Sequence, residues 1–335
     1  MSVLVLAPGA LTTLQDRGRV GSRALGVGVA GALDPYSSAI ANLLVGNPVA
    51  AATLEITLSG PKLRLSQAAR IALCGGDFDL RIDGTAVAGW RRVTVPAGAT
   101  VAIGGCRRCA RAWLAISGGF RAPRRMDSLS TDLRGGFGGI DGRALVAGDV
   151  LDIGDAGVAM NIRDADGMDV ARWWIDRSPD LAFGQPARIH AIAGADACVP
   201  KDGLFAREWR VTADSNRQGL RLEPTTTRAS TGEAPLRPAD LRERISEPVA
   251  PGTIQLPPDG QPIVLLADAQ THGGYPRIAH AIQADWPRLA QLRPGDRLRF
   301  EACSREDAWQ ARRAQAQRLA RIALAIAARA AQRPS

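Results

Sequence analysis

Lysine is nearly absent from this chain. Of 42 basic residues only Lys62 and Lys201 are lysine, and the rest are arginine. Neither lysine closes a Gly-x-x-x-x-Gly-Lys pattern, which excludes a P-loop. Neither is flanked by methionines, so the chain carries no biotin attachment site. Gly-x-Ser-x-Gly is also missing, which argues against an α/β-hydrolase nucleophile elbow. Histidine is scarce as well. His190, His272 and His280 lack paired metal-ligand spacing, and no metal site is expected. Five cysteines, at 74, 106, 109, 198 and 303, are too few and odd in number for a disulfide framework. No apolar run approaches the ~20 residues that span a bilayer. The N-terminus, Met1-Ser2-Val3-Leu4-Val5-Leu6, has no basic leader and meets Pro8-Gly9 at once. A cytoplasmic location is the expectation.

Aromatic residues make up only 4%, and this bears on the formal charge of +9. Much of that excess sits in 304–335, where seven arginines face Glu306 and Asp307. Elsewhere no basic stripe with interleaved aromatics occurs, so nucleic acid is not an expected partner.

What the chain does have is short runs rich in β-branched residues, broken by Gly, Pro and Asp. Arg70–Leu73, Asp79–Asp83, Arg92–Val95, Thr100–Ile103, Ala112–Ile116 and Ile263–Leu266 read as strands. Asp83-Gly84 between two such runs predicts a hairpin turn. Two helices are expected. One follows the Asp34-Pro35 cap and stops before Gly46-Asn47-Pro48. The other starts at Ser304, with Asp307 placed for a capping box and Leu319, Ile322 and Ile326 on one face.

An internal echo organises the rest. Asp-x-x-Arg-x-Gly-x-Arg occurs at Asp16–Arg23 and again at Asp214–Arg221, an offset of 198 residues. Pro96-Ala97-Gly98 matches Arg293-Pro294-Gly295 at an offset of 197. The expectation is a mainly β protein of duplicated β-barrel units: a first unit over 1–155, a connector over 156–184, a second unit over 185–300 and a C-terminal amphipathic helix over 301–335.

Three segments carry chemically interesting residues. Ser130-Thr131-Asp132-Leu133-Arg134 precedes four glycines, including Gly136 and Gly138, whose amides could form an anion-binding nest with Arg134. The alternative is a surface loop. Asp214-Ser215-Asn216-Arg217 pairs a carboxylate with an arginine across a turn, as do Asp16 and Arg19; a structural brace is the plain alternative. Gln261–Pro276 is the densest. A buried strand delivers Asp268, Gln270, Thr271 and His272 to Gly273-Gly274-Tyr275-Pro276, and His272 is the general-base candidate by residue type. Cys106-Arg107-Arg108-Cys109 lies between predicted strands and reads as a turn rather than a redox motif.

At these residues the sequence resembles the family of the 5-oxoprolinase C subunit, also called allophanate hydrolase subunit 2 or the sporulation-kinase inhibitor antagonist family. The same module forms part of the carboxyltransferase domain of urea carboxylase. Gln15-Asp16-Arg17-Gly18-Arg19, Gly31-Ala32-Leu33-Asp34, Ala41-Asn42-Leu43-Leu44-Val45-Gly46-Asn47, Ser130-Thr131-Asp132, Ser215-Asn216-Arg217, Gly260-Gln261-Pro262-Ile263 and Gly273-Gly274-Tyr275-Pro276 carry the likeness. The resemblance implies cyclophilin-like barrel units and a partner, the B subunit of 5-oxoprolinase. Together with this chain the B subunit would use ATP, with Mg shared between them, to phosphorylate the lactam oxygen of 5-oxoproline. The A subunit would then complete hydrolysis to glutamate. Arg134, Arg217, Asn216, Ser130, Thr131, Asp132 and the Gly135–Gly139 amides would hold phosphate or substrate, Asp268 and Gln270 would orient the lactam, and Thr271, Gly273, Gly274 and Tyr275 would complete the site. Two alternatives follow: the carboxyltransferase part of a biotin-dependent urea-type carboxylase, and a non-catalytic regulatory chain that binds a kinase-inhibitor-like partner. His272 stands where the family has Thr, which weakens it as an essential base, and Ala30 replaces a usual Ser.

Overall fold

A computed structural model of the chain describes residues 1–155, 167–177, 184, 186–225, 234–240 and 245–331. Of the expected connector, 156–166 and 178–183 lie outside the described residues. The chain divides into two compact units. The first comprises Met1–Arg19, Ala30–Pro179 and Gln317–Ser335, and the second comprises Val20–Val29 and Asp180–Ala316.

In the first unit, eleven strands form one branched sheet. They are β1 (Ser2–Ala7), β2 (Leu11–Gln15), β3 (Thr53–Thr57), β4 (Lys62–Leu65), β5 (Ala69–Ile82), β6 (Thr85–Val87), β7 (Val93–Val95), β8 (Thr100–Ile116), β9 (Phe120–Arg121), β10 (Val150–Ile153) and β11 (Asp169–Val170). The main path runs β11-β7-β5-β8-β4-β1-β10-β9, with β3 also on β8, β2 on β3 and β6 on β5. Alternation places Val3, Leu54, Ile56, Leu63, Ile71 and Leu114 in one buried cluster. Each such side chain contributes on the order of 1.5–3 kcal/mol.

Strands β5 and β8 each join two of the short strands expected from sequence. Glycines read there as punctuation instead mark irregularities inside long strands. The β5–β8 register shifts between Gly75 and Asp77 and again before Leu80. Gly75 has φ +119°, and a Cβ there would lie 2.6 Å from the Arg111 carbonyl oxygen, so only glycine lets the two strands close. Cys106 and Cys109 fall within β8. They therefore lie in a long strand and not in the expected turn; the Cys106 thiol donates to the Arg108 carbonyl at 2.7 Å, and Cys109 is buried at φ 77°, where the β5–β8 ladder is irregular.

Helix α1 (Pro35–Val45) forms where Asp34-Pro35 predicts it. Asp34 Oδ1 accepts from the Tyr36 and Ser37 amides at 2.9 Å each, and Gly46 ends the helix at φ 87°.

In the second unit, β12 (Ala187–Ala193), β14 (Glu208–Val211), β15 (Gly219–Pro224), β18 (Thr253–Gln255), β19 (Ile263–Leu265), β21 (Arg277–Ala281) and β22 (Arg297–Ala302) form a closed barrel in the order β12-β21-β18-β19-β15-β14-β22. Parallel pairing of β22 with β12, from Ala187 with Leu298 to Ala191 with Ala302, completes the closure. Ile189, Trp209, Leu222, Ile254, Val264 and Leu298 are all fully buried. Two short ladders lie outside the barrel: β13 (Cys198–Val199) with β16 (Arg237–Pro238), and β17 (Glu247–Pro248) with β20 (His272–Gly273). Helix α2 (Trp286–Ala290) is short, and helix α3 (Arg305–Ala331) carries the expected capping box. Ser304 Oγ accepts from the Asp307 amide at 3.1 Å while Asp307 Oδ2 accepts from the Ser304 amide at 3.0 Å. The mainly β class, a closed barrel and a C-terminal helix are as expected.

Candidate active site

The expected site residues fall into two groups, one in each unit. In the first unit, the loop after β9 is held by Asp16, at the end of β2. Its Oδ1 accepts from the Ser128 and Ser130 hydroxyls, both at 2.6 Å, and from the Gly18 amide at 2.8 Å; its Oδ2 accepts from the Leu129 amide at 2.7 Å. Arg19 is fully buried, donates from Nη2 to the Ser130 carbonyl and lies 4.4 Å from the centre of the Phe137 ring. Thr131 Oγ1 donates to the Leu14 carbonyl at 3.1 Å. Ser130 and Thr131 are fully buried, so these hydroxyls brace the loop.

Most amides of the expected nest are already engaged within the loop. The Arg134 and Gly135 amides donate to Asp132 Oδ1 at 3.1 and 2.8 Å, the Gly136 and Phe137 amides to the Asp132 carbonyl, and the Gly139 amide to the Leu129 carbonyl. Gly138 and Gly139 are glycine for space: a Cβ would lie 2.2 Å from the Ser130 carbonyl oxygen at the first and 1.9 Å from Thr131 Oγ1 at the second. Beside this loop lies an open cleft of about 680 Å³ lined by Arg121, Arg125, Gly136, Gly138, Asp141 and Asp152.

In the second unit, the turn between β14 and β15 delivers Arg217 inward. Ser215 Oγ accepts from the Arg221 amide at 3.0 Å and Asn216 Oδ1 from the Gln218 amide at 2.8 Å, so Ser215 and Asn216 shape the turn. Arg217 and Asp268 then form a bidentate pair, Nε to Oδ2 and Nη2 to Oδ1 at 2.9 Å each, with both side chains 4% exposed. The Asp268 amide also donates to the Arg217 carbonyl, which ties the turn to the segment after β19. That segment continues through half-buried Gln270 and buried Thr271, whose Oγ1 lies 3.0 Å from His272 Nδ1. His272, Gly274 and Tyr275 face solvent. The residue after β17 holds the strand from the other side: Val249 donates its amide to the Thr271 carbonyl at 2.9 Å.

Two further residues reach this segment and escaped the sequence reading. Gln255, on β18 and 1% exposed, donates from Nε2 to the Tyr275 carbonyl at 3.5 Å and lies over Gly273, where a Cβ would meet that Nε2 at 2.5 Å. Arg23 donates from Nη2 to the Thr271 carbonyl at 3.3 Å. Its presence in the Asp16–Arg23 echo was the available signal. Among the described residues, no three His, Cys, Asp or Glu side chains converge on a metal-sized space.

This barrel with its polar turn belongs to a known class. The chain matches the family described as "Carboxyltransferase domain, subdomain A and B" over residues 25–302, and it is a member of that family. It is 38% identical to the 5-oxoprolinase C subunit of Escherichia coli (strain K12), over 93% of this chain and 94% of that protein. It is 35% identical to a putative urea carboxylase of Emericella nidulans, covering 92% of this chain but 25% of that one. Among solved structures, the K. lactis urea amidolyase superposes with a TM-score of 0.82 at 29% identity, over 96% of this chain and 20% of the amidolyase.

Proposed function

We propose that this chain is the C subunit of an ATP-dependent 5-oxoprolinase that works with a B subunit and an A subunit. The observation that carries this reading is the reciprocal match to the 5-oxoprolinase C subunit, 93% of one chain against 94% of the other. In this reading the B and C subunits transfer the γ-phosphoryl group of ATP to the lactam oxygen of 5-oxoproline and release ADP. Water then opens the activated ring on the A subunit, giving glutamate and phosphate. This chain's own contribution is a rigid turn: the buried Arg217–Asp268 pair fixes the backbone from which Gln270 and the Gly273–Tyr275 stretch meet the substrate. With the loop amides at 135–137 and 139 already engaged, phosphate contacts fall to side chains such as Arg134 and to the B subunit. Mg would travel with the ATP phosphates.

The test is glutamate and ADP release by the reconstituted three-component assembly. Turnover that needs 5-oxoproline, ATP and this chain together is expected. A urea-type carboxylase is the second reading, favoured by the TM-score of 0.82 to the amidolyase structure. It predicts urea- and bicarbonate-dependent ATP use with a biotinylated partner, and no glutamate.

A further inference from the structure

Arg217 is 4% exposed and commits its Nε/Nη2 edge to Asp268, which leaves it poorly placed to meet an incoming carboxylate. The substrate of the proposed reaction carries one, which directs attention to a more accessible cation in the same unit. Arg23 has the required features. It belongs with the second unit, in the Val20–Val29 segment. Its guanidinium makes one hydrogen bond, to the Thr271 carbonyl, and among the described residues no carboxylate pairs with it. Its Nη1 is buried and unpartnered among the described residues. The half-buried guanidinium has lost part of its hydration without gaining a counter-ion among the described residues, and this desolvation pulls its pKa below the usual arginine value. The same segment keeps close to the turn further along, where a Cβ at Gly28 would lie 3.4 Å from the Ala269 carbonyl oxygen.

Two carboxamides converge beside it. Measured from the place a Cβ would take on Gly273, Gln255 Nε2 lies at 2.5 Å and Gln270 Nε2 at 3.5 Å. The Gln270 side chain makes no hydrogen bond among the described residues, so its amide is available as a donor. The Gln255 amide thus fills the space a side chain at Gly273 would need and already donates to the Tyr275 carbonyl, which leaves the Gln270 amide, one residue from Thr271, as the donor of the two that a ligand can use.

We propose that Arg23, with the Gln270 carboxamide beside it, forms a recognition site for a small cyclic amide that carries a carboxylate. The proposal rests on the 5-oxoprolinase reading for the identity of the amide. Arg23 binds the carboxylate as a charged fork, while the Gln270 amide donates to the lactam end, so the site selects acids over neutral lactams.

The experiment compares 5-oxoproline with 2-pyrrolidinone, the same ring without the carboxylate, in the reconstituted assembly. Arg23→Gln and Arg23→Lys are measured beside wild type, with melting temperatures recorded for each. The expected result is a KM for 5-oxoproline raised about tenfold or more by Arg23→Gln, and less by Arg23→Lys, with KM for ATP and the weak turnover of 2-pyrrolidinone unchanged. Equal losses on both lactams, or no loss on either, overturn the proposal. If the wild-type assembly turns over no 5-oxoproline, the enzymatic reading fails by itself. The site is then decided by titrating the full chain with 5-oxoproline and 2-pyrrolidinone while following arginine Nε–Hε resonances. A response to the acid alone, absent in Arg23→Gln, keeps the carboxylate site; no response, or one that persists in the variant, overturns it.

Discussion

Asp16 and Asp214 occupy equivalent places in the echoed motif yet meet different surroundings. Asp16 is buried and accepts four hydrogen bonds, from two hydroxyls and two amides. Asp214 is exposed. Asp16→Ala is therefore expected to destabilise the protein by about 3 kcal/mol, since it strands buried donors, whereas Asp214→Ala stays within about 0.5 kcal/mol. Urea unfolding of the two variants checks this. The arginines three residues on, Arg19 and Arg217, are buried in both copies, at 0% and 4% exposure. The repeat thus keeps an inward arginine while the group that receives it changes: a π-face and a carbonyl in one unit, Asp268 in the other. Sequence could show the pattern but not the partners, because Ser128, Ser130 and Asp268 are remote in the chain. A second pair offers a pH test. Arg143 holds Asp149 through two hydrogen bonds at 2.8 Å, and with help from the Val146 amide this lowers the Asp149 pKa below the usual carboxylate value. A carboxylate whose folded pKa lies below its unfolded one stabilises the fold above about pH 4 and loses that contribution as the pH falls through the folded value. Arg143→Gln should flatten the acid limb of the stability profile, measured by thermal melts between about pH 5 and pH 2.

At the scale of elements, what was legible from sequence was local chemistry. The α1 caps, the Asp83-Gly84 turn between β5 and β6 and the Ser304–Asp307 box appear where the residues place them, because each depends on atoms within four positions. The box supports a prediction of its own. Asp307 has its pKa lowered mainly by the Ser304 hydroxyl, and Ser304→Ala removes both that bond and the cap of the Asp307 amide. Amides in the first turn of α3 should exchange faster in that variant, while amides near Ile322 keep their protection; uniform loss along the helix would contradict it. What was not legible was continuity. Gly75-Gly76 and Gly104-Gly105 look like strand ends, and only the partner strand shows that the ladder resumes beyond them. The glycine loop at 135–139 misled in a similar way. Glycines are also selected for space, and here Ser130 and Thr131 fill that space while Asp132 and the Leu129 carbonyl take up the amides.

For the whole molecule, the mainly β class and the closed barrel could be read from turn spacing and the echo, because both follow from periodicity. The composition of the units could not. Val20–Val29 lies within the expected first unit by sequence but groups with the second unit by packing. No periodicity marks that exchange, and it is the reason Arg23 escaped the reading of the Gln270–Tyr275 turn as a site. The same feature has a consequence during synthesis. Those ten residues leave the ribosome long before the rest of the unit they group with, which begins only at Asp180. At about 5–20 residues per second, roughly 10–30 s pass before their folding partners exist. Over that interval the N-terminal segments of the first unit emerge around a loop whose destination has not yet been made. Nascent chains halted shortly after residue 179 would therefore carry Arg23 and its neighbours as an unclaimed hydrophobic and cationic tether, a natural handle for a chaperone and a vulnerable point for a protease.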